Sequence, residues 1–192
     1  MKLIVIIPAY NEEATIKEVI SKIPKVNERI SKTEIIVVND GSSDKTKEKA
    51  EEAGALVISH IGNKGVGKAF QTGIENALKR KADILVNIDG DGQFNPNDIP
   101  KLISPILDKE ADFVTATRFS DGKLIGNMPF VKKIGNKMFT SLTSKLVGQK
   151  FTDTQCGFRA YSREAALNYI ESEKERWSVF WKTNMPKLKG VV

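Results

Sequence analysis

The sequence predicts an α/β fold, a three-layer α/β/α sandwich around a mostly parallel central sheet. Short apolar runs rich in Ile and Val recur at residues 3–7, 34–39, 55–59, 84–88 and 112–117. Between them, apolar residues repeat at helical spacing, and the connections are short. Alternating strands and helices with short connections are typical of a parallel sheet that is covered by helices on both faces.

Two predicted loops follow the first and second strands, and each is expected to begin a helix. After the first strand, Asn11 is expected to cap the helix, with Glu12 and Glu13 in its first turn. After the second strand, Ser42 or Ser43 is expected to cap the next helix. Both loops stand at the carboxyl ends of strands, where ligands bind in open α/β sheets.

The third loop holds the one histidine of the chain and a glycine-rich stretch. His60 ends the third strand and is interpreted as a loop residue rather than as a ligand. Residues 62–68 read Gly-Asn-Lys-Gly-Val-Gly-Lys and precede a helix, and such turns bring backbone amides close to phosphates. Their spacing matches neither a Walker loop nor the dinucleotide fingerprint, so a plain connection remains an equal alternative.

The strongest chemical signal is a pair of carboxylates after the fourth strand. Asp89 and Asp91 alternate with glycines, and Gln93 continues the spacing. In an extended segment these three side chains face the same way. Two carboxylates and an amide oxygen suit a hard cation such as Mg²⁺ or Mn²⁺ better than zinc. The alternative is an ordinary turn, because Asp-Gly is common turn chemistry.

Length and composition place the chain among soluble proteins with a single core. Its 192 residues, 40% hydrophobic and 28% charged, are ordinary for this class. The apolar run at the N-terminus is too short for a signal peptide or a membrane span. The single Cys156 excludes an internal disulfide and suits a reducing compartment. We expect a cytoplasmic protein, either free or peripheral on the cytoplasmic face of the membrane, with no nucleic-acid partner.

The net charge of +6 is confined to one segment. Residues 118–150 hold one acidic residue, Asp121, and seven basic ones, whereas the rest of the chain balances. The seven are Arg118, Lys123, Lys132, Lys133, Lys137, Lys145 and Lys150. A local positive patch favours an anionic partner. Inside it, residues 129–147 form a basic amphipathic pattern, typical either of a helix on anionic lipid or of a core helix with a solvated basic face.

Five stretches together resemble the family-2 inverting glycosyltransferases. They are Pro8-Ala9-Tyr10-Asn11-Glu12, Val38-Asn39-Asp40-Gly41-Ser42-Ser43-Asp44, Asn63-Lys64-Gly65-Val66-Gly67, Asp89-Gly90-Asp91-Gly92-Gln93 and Gln155-Cys156-Gly157-Phe158-Arg159-Ala160. Their order and spacing make the match specific from residue 1 to about residue 165. The last stretch is most similar to the dolichyl-phosphate mannose and glucose synthases and their polyprenyl-phosphate relatives.

The resemblance implies a GT-A fold, which is Rossmann-like, and a role for each matching residue. The residues implied to bind a nucleotide sugar, a UDP- or GDP-hexose, are Pro8, Ala9, Tyr10, Glu12, Asp40, Lys68, Asp89, Asp91 and Arg118. Asp40 would contact the base. The residues implied to hold Mg²⁺ or Mn²⁺ are Asp89, Asp91 and Gln93. With the basic segment, the residues expected to meet an acceptor phosphate are Arg118, Lys132, Lys133 and Arg159.

The implied chemistry separates a sugar from a nucleoside diphosphate through an oxocarbenium-like state. Asp91, through the metal, and Arg118, through charge-assisted hydrogen bonds, would stabilise the departing diphosphate. A lipid phosphate is already an anionic nucleophile, so it would need no protein base. A hydroxyl acceptor would need one, and Asp153 is then the candidate.

Three functional interpretations stay open. The first is metal-dependent transfer of mannose or glucose to a polyprenyl or dolichyl phosphate, with inversion. The second is transfer to a glycan or another hydroxyl acceptor. The third is a truncated nucleotide-sugar-binding module without turnover, because the sequence divides into a catalytic domain at residues 1–171 and an atypical tail at residues 172–192. A sugar-phosphate nucleotidyltransferase is disfavoured, since residues 8–13 contain no glycine.

Overall fold

The computed structural model describes residues 1–26, 28–117, 119–120, 123–124, 156–174 and 188–190. The strands are β1 Lys2–Ala9, β2 Lys32–Asn39, β3 Leu56–Ser59, β4 Ile84–Asn87, β5 Phe113–Thr115, β6 Phe119–Ser120, β7 Lys123–Leu124, β8 Arg159–Ser162 and β9 Leu188–Gly190. The helices are α1 Ile16–Ser21, α2 Thr46–Glu52, α3 Val66–Lys79, α4 Ile99–Leu107 and α5 Arg163–Lys174, with a 3₁₀ turn at Pro96–Asp98.

The main sheet has seven strands in the order β3-β2-β1-β4-β8-β5-β9. All neighbours are parallel except β8, which runs antiparallel to both β4 and β5. The chain therefore builds outward from β1 to β3, then returns to the other side of β1 to begin β4. This reversal between β1 and β4 is a topological switch point, the place where ligands bind in such sheets.

Strand β1 is the centre of the molecule because both its edges and both its faces are covered. Leu3, Val5 and Ile7 belong to the core on the face of α1 and α4. Ile4 and Ile6 belong to a second core, which α3 and α5 cover. All five side chains are 0% exposed. The mostly parallel three-layer sandwich predicted from the sequence is thus confirmed.

The predicted helix caps are wrong. Helix α1 begins at Ile16, with Thr15 at the N-cap position, and Asn11 lies in the preceding loop with φ of 56°. Helix α2 begins at Thr46, and its amide is bound by Asp44 Oδ1 at 3.0 Å, not by either serine. The polar side chains between strand and helix bind the neighbouring loop instead, which competes with capping.

The C-terminal part of the described chain continues the fold. Helix α5 extends to Lys174, past the expected boundary at residue 171, and β9 pairs in parallel with β5 at the edge of the sheet. The predicted helix at residues 129–147 lies outside the described residues, and the division at residue 171 stays a prediction. No helix in the described ranges has the length and apolar character that crossing a membrane requires.

Candidate active site

The polar loops predicted from the sequence meet above the carboxyl ends of β1, β2, β3 and β4. They are the β1 loop at residues 10–15, the β2 loop at residues 40–45, the β3 loop at residues 60–65 and the β4 turn at residues 88–95. Each loop is bonded to the next, so that the edge of the sheet carries a continuous shelf of polar residues. The shelf is centred on the switch point between β1 and β4, where the β1 loop and the β4 turn face one another.

The β1 and β2 loops hold each other through reciprocal hydrogen bonds. The Asn11 amide donates to Ser42 Oγ at 3.0 Å, and the Ser43 amide donates to Asn11 Oδ1 at 2.9 Å. The Glu12 amide donates to Thr46 Oγ1 at 2.8 Å. These bonds fix the backbone of the β1 loop and explain why its polar residues are unavailable as caps.

The β2 and β3 loops are joined by the buried carboxylate of Asp40. Its Oδ1 accepts from the Lys64 amide at 3.0 Å and lies 2.6 Å from His60 Nδ1, while Oδ2 accepts from the Gly65 amide at 2.8 Å. Burial raises the pKa of Asp40, but these hydrogen bonds outweigh that effect and lower it overall. Asp40 is therefore held as a carboxylate.

The β4 turn packs against the β1 loop. Thr15 Oγ1 donates to the Gly90 carbonyl at 2.7 Å and lies 3.1 Å from Glu12 Oε2. Burial raises the pKa of Glu12, and the Asp91 and Asp44 carboxylates raise it further, against the lowering effect of the Thr15 hydrogen bond. Negative charge is thus concentrated where the β1 loop meets the β4 turn.

The carboxylate of Asp89 lies directly against Gly157, just before β8. A Cβ placed on Gly157 would be 2.0 Å from Asp89 Oδ2. The Gly157 carbonyl accepts from Asn87 Nδ2 at 2.6 Å, which ties this glycine to the end of β4. Burial lowers the pKa of Arg159, but titratable neighbours, Asp89 among them, outweigh that effect and raise it. Gly157 and Arg159 belong to the Gln155–Ala160 stretch of the sequence analysis, here called the β8 motif, and both therefore lie beside Asp89.

The expectation of an extended segment carrying Asp89, Asp91 and Gln93 is wrong. Strand β4 ends at Asn87, and the residues that follow form a turn in which Gly92 has φ of 76°. Asp91 Oδ1 accepts from the Gln93 amide at 2.9 Å, and the Gln93 side chain is exposed. The turn, rather than strand alternation, places Asp89 towards Gly157 and Asp91 towards Glu12.

The other predicted donor residues are distributed along the shelf. Pro8 and Ala9 are buried at the end of β1, and the Ala9 carbonyl accepts from the Asp40 amide at 2.9 Å. Tyr10 is 48% exposed above them. Lys68 is exposed in the first turn of α3 and donates to Gln71 Oε1 at 3.0 Å, and no described contact joins it to the carboxylates.

The glycine-rich loop does not offer all its amides to a phosphate. The amides of Lys64 and Gly65 already donate to Asp40. Inside the described ranges, the loop therefore serves to clamp a carboxylate of the shelf.

The carboxylate pair has the donor chemistry of a hard-cation site, although it is incomplete by itself. Among the described residues no three His, Cys, Asp or Glu side chains form a metal-binding group. Asp89 and Asp91 supply anionic oxygens, and Asp91 is close enough to affect the pKa of Glu12. A divalent cation would relieve this concentration of charge, with the remaining ligands coming from a bound diphosphate and water, as Mg²⁺ sites usually require. The residues present therefore fit such an ion.

Several predicted residues lie outside the described ranges. They are Arg118, Lys132, Lys133 and Asp153, so the diphosphate clamp, the acceptor phosphate site and the candidate base stay predictions. Three other residues have contacts that sequence reasoning did not identify, namely Thr15, His60 and Gly157. Their contacts join distant parts of the chain, so spacing in the sequence does not reveal them. Gly157 alone was already part of a motif identified in the sequence.

The sheet order, the switch point and the acidic turn define a class of protein, the open α/β folds whose candidate ligand site lies at the carboxyl ends of the strands. Comparison with known families makes this specific: the family described as glycosyl transferase family 2 matches residues 4–169. The chain therefore belongs to glycosyl transferase family 2, and its sheet is that of a GT-A glycosyltransferase. The family resemblance noted in the sequence is confirmed.

Curated relatives and solved structures support the same assignment. A UDP-N-acetylglucosamine–dolichyl-phosphate N-acetylglucosaminyltransferase of Methanococcus voltae is 41% identical over 83% of this chain and 69% of its own length. A polyprenol monophosphomannose synthase of Mycolicibacterium smegmatis is 29% identical over 85% of this chain and 62% of its own. Glucosyl-3-phosphoglycerate synthase of Mycobacterium tuberculosis, solved with Mn²⁺, UDP-glucose and phosphoglyceric acid, has 28% identity and a TM-score of 0.65, covering 85% of this chain and 57% of that one.

Proposed function

We propose that this chain transfers a hexosyl group from a nucleotide-diphosphate sugar to a polyprenyl or dolichyl phosphate, with inversion and with the help of Mg²⁺ or Mn²⁺. The observation that carries the proposal is the position of Asp89 and Asp91 on a turn packed against the β1 loop, at the switch point of the sheet. The relatives named as transferases to dolichyl and polyprenyl phosphates favour the acceptor.

The donor would lie across the shelf from the β2 loop to the β4 turn. The nucleotide would be bordered by the end of β1 and by Tyr10 and Glu12, with its base towards Asp40. Asp40 accepts three hydrogen bonds within the protein. A carboxylate has about four acceptor positions, so one remains for an N–H group of the base.

The diphosphate would lie at the β4 turn. Asp89 and Asp91, with Gln93, would hold a divalent ion there, and when bound that ion would act as a Lewis acid for the departing diphosphate. Arg118, which follows β5, would add a guanidinium to the same oxygens. Both Asp89 and Asp91 are half-buried, which reduces competition from water.

The reaction exchanges one C1–oxygen bond for another. The bond between C1 of the sugar and the diphosphate breaks, and its electron pair leaves with the nucleoside diphosphate. An oxygen of the acceptor phosphate forms the new bond on the opposite face of C1, which inverts the anomeric centre. Because the acceptor is already ionised, no proton has to be removed by the protein.

A transfer assay with the Asp91→Ala variant tests the proposal. Radiolabelled UDP-glucose, UDP-N-acetylglucosamine and GDP-mannose are offered with a polyprenyl phosphate in detergent and Mn²⁺. We expect a sugar-lipid product from the native chain and a loss of at least a hundredfold in the variant, as for removal of a group that stabilises transition-state charge. Asp98 is exposed and its side chain makes no capping bond at the start of α4, so Asp98→Ala is the matched control. Full activity of Asp91→Ala, or in EDTA, would contradict the metal role.

A second acceptor class follows from the solved structure with phosphoglyceric acid. In that case the sugar would pass to a hydroxyl group, and a base such as Asp153 would be needed. The two acceptor classes are separated by offering the native chain a polyprenyl phosphate and 3-phosphoglycerate in the same assay. The compound that becomes glycosylated identifies the acceptor class.

A further inference from the structure

The one histidine of the chain lies between the Asp40 carboxylate and helix α3. His60 Nδ1 is 2.6 Å from Asp40 Oδ1, and His60 Nε2 is 2.9 Å from Thr72 Oγ1. Only 8% of the His60 side chain and 4% of the Asp40 side chain are exposed. The histidine that the sequence analysis interpreted as a loop residue thus has a buried side chain, which bridges the end of β2 and α3.

The position of the hydrogen on the His60 ring follows from its two hydrogen-bond partners, Asp40 and Thr72. A carboxylate can only accept, so the hydrogen of this pair must be on His60 Nδ1. Thr72 offers a hydroxyl, which donates to Nε2 or accepts from it as required. The bond to Asp40 is therefore compatible with the neutral and the charged imidazole, and the contact with Thr72 sets the orientation of the ring.

The backbone on both sides of the Asp40–His60 bond is also held in place. The His60 amide donates to the Asn39 carbonyl at 2.9 Å. Gly41, with φ of 76°, packs so closely on the next loop that a Cβ there would lie 2.4 Å from the Gly62 carbonyl carbon. The β2 and β3 loops are thus held together by their backbones. The direction of the Asp40 carboxylate between them is set by the Lys64 and Gly65 amides together with the imidazole, the one side chain among these three donors.

We propose that His60 is a positioning residue for the nucleobase end of the donor site, acting through Asp40. The inference depends on the proposed function, because it takes Asp40 as the group that meets the base. Together with the Lys64 amide, His60 holds Oδ1 of the carboxylate so that the one remaining acceptor position keeps a constant direction. Loss of this bond would weaken binding of the base while leaving the diphosphate end of the site unchanged.

Two substitutions of similar size separate this role from general packing. In His60→Asn, the amide nitrogen can occupy the place of Nδ1 and donate to Asp40. In His60→Gln, the longer side chain carries its amide towards the place of Nε2 and Thr72 instead. A role limited to filling space would instead make glutamine, which is closer to histidine in volume, at least as good a replacement as asparagine.

The test is calorimetry in the presence of Mn²⁺, which measures the binding of UDP, GDP and inorganic pyrophosphate to the native chain and to both variants. One of the two nucleotides should bind to the native chain. We expect His60→Gln to lower the affinity for that nucleotide by about tenfold, as for a lost hydrogen bond to a charged group. His60→Asn should stay within about threefold of the native affinity. Pyrophosphate, which has no base, should bind all three proteins equally. Equal losses of nucleotide affinity in both variants, or a parallel loss for pyrophosphate, would overturn the proposal.

A measurement on the native chain covers the case in which a variant fails to fold. Because the sequence has a single histidine, its imidazole nitrogen signals in an NMR spectrum need no assignment. We expect a hydrogen on Nδ1 that exchanges slowly with water, and an Nδ1 without hydrogen would overturn the proposal. Absence of nucleotide binding by the native chain would count instead against the proposed function, so the two failures are distinguishable.

Discussion

Asp89 packs so closely on Gly157 that no space is left there for a side chain. Any side chain at position 157 would occupy the place of the Asp89 carboxylate, with a Cβ 2.0 Å from Oδ2. The Gly157 backbone cannot easily move away, because its carbonyl is bound by Asn87 at the end of β4. The glycine of the β8 motif thus determines where one carboxylate of the acidic turn can lie.

We predict that Gly157→Ala displaces Asp89 and weakens Mn²⁺-dependent nucleotide binding by about tenfold or more, as substitutions that reorient a metal ligand do. Calorimetry with UDP or GDP, in Mn²⁺ and in EDTA, measures the change. The variant should still fold, because the carboxylate lies at the edge of the sheet and is only half-buried.

Gly73→Ala is the matched control for this experiment. Its Cβ would lie 2.3 Å from Ile6 Cγ2, so the clash is equally severe but falls between α3 and β1, inside the core. We expect a lower melting temperature for Gly73→Ala and an unchanged affinity of the folded protein for nucleotide and metal. Native affinity in Gly157→Ala would show that Asp89 has no part in holding the ion.

Strands and helices follow from the sequence where the local signal is strong. The apolar, β-branched runs became β1, β2 and β4, and the amphipathic stretches became α3 and α4. The caps failed because Asn11 and Ser42 bond to each other across two loops, and a local rule cannot anticipate partners about thirty residues away. The antiparallel place of β8 between β4 and β5 likewise depends on long-range pairing.

One cluster of charges joins three elements at the opposite end of the sheet. Glu34 of β2 lies 2.9 Å from Lys2 Nζ of β1, 2.9 Å from Lys32 Nζ, and 3.4 Å from Arg80 at the end of α3. Hydrogen bonds from Lys32 and Lys2 lower the pKa of Glu34 from 4.5 to about 2. The carboxylate therefore favours the folded state only while it is ionised.

We predict that Glu34→Gln lowers the free energy of unfolding at pH 7 by about 1 kcal/mol or less, since the cluster is close to the surface. A carboxyl with a depressed pKa contributes fully above its unfolded value of 4.5 and loses that contribution as the pH falls towards about 2. Urea denaturation of both proteins from pH 7 to pH 2 should show the difference vanish across that interval.

The exposed Glu28, which lies outside the helices and strands, provides the control for this experiment. Glu28→Gln should leave the free energy of unfolding unchanged at every pH, and the effect of Glu34→Gln should shrink in high salt, which screens surface pairs. A difference between Glu34→Gln and the native chain that is as large at pH 2 as at pH 7 would mean that Glu34 contributes by packing rather than by charge.

For the whole chain, the sequence predicted the type of fold better than the geometry of the candidate site. The parallel arrangement of β1 to β4 could be anticipated from alternation, and the place of Asp89 and Asp91 just after β4 from the apolar run before them, because both signals are local. The roles of His60, Gly157 and Thr15 depend on contacts between distant loops, which spacing does not encode. The extended-strand argument for Asp91 failed because a glycine-rich turn replaced the strand after Asn87.

The donor and acceptor halves of the proposal have different support. The donor shelf lies within the described residues, whereas the basic segment at residues 118–150 contributes only β6 and β7 to them. The chain also spans 57% of the solved glycosyltransferase and 69% of the archaeal relative. The acceptor roles of Arg118, Lys132 and Lys133 therefore stay predictions. That of Arg159, a described residue whose Nε donates to the Cys156 carbonyl at 2.7 Å, also stays a prediction.

The central claim is that a nucleoside diphosphate and a divalent cation bind together above β1 and β4. Thermal unfolding of the native chain with UDP, GDP or dTDP, each with Mn²⁺ and with EDTA, tests it most directly. At a ligand concentration about one hundred times the Kd, the melting temperature should rise by about 5–10 °C for one nucleotide with Mn²⁺ and far less in EDTA. No rise with any nucleotide, or an equal rise in EDTA, would contradict the claim.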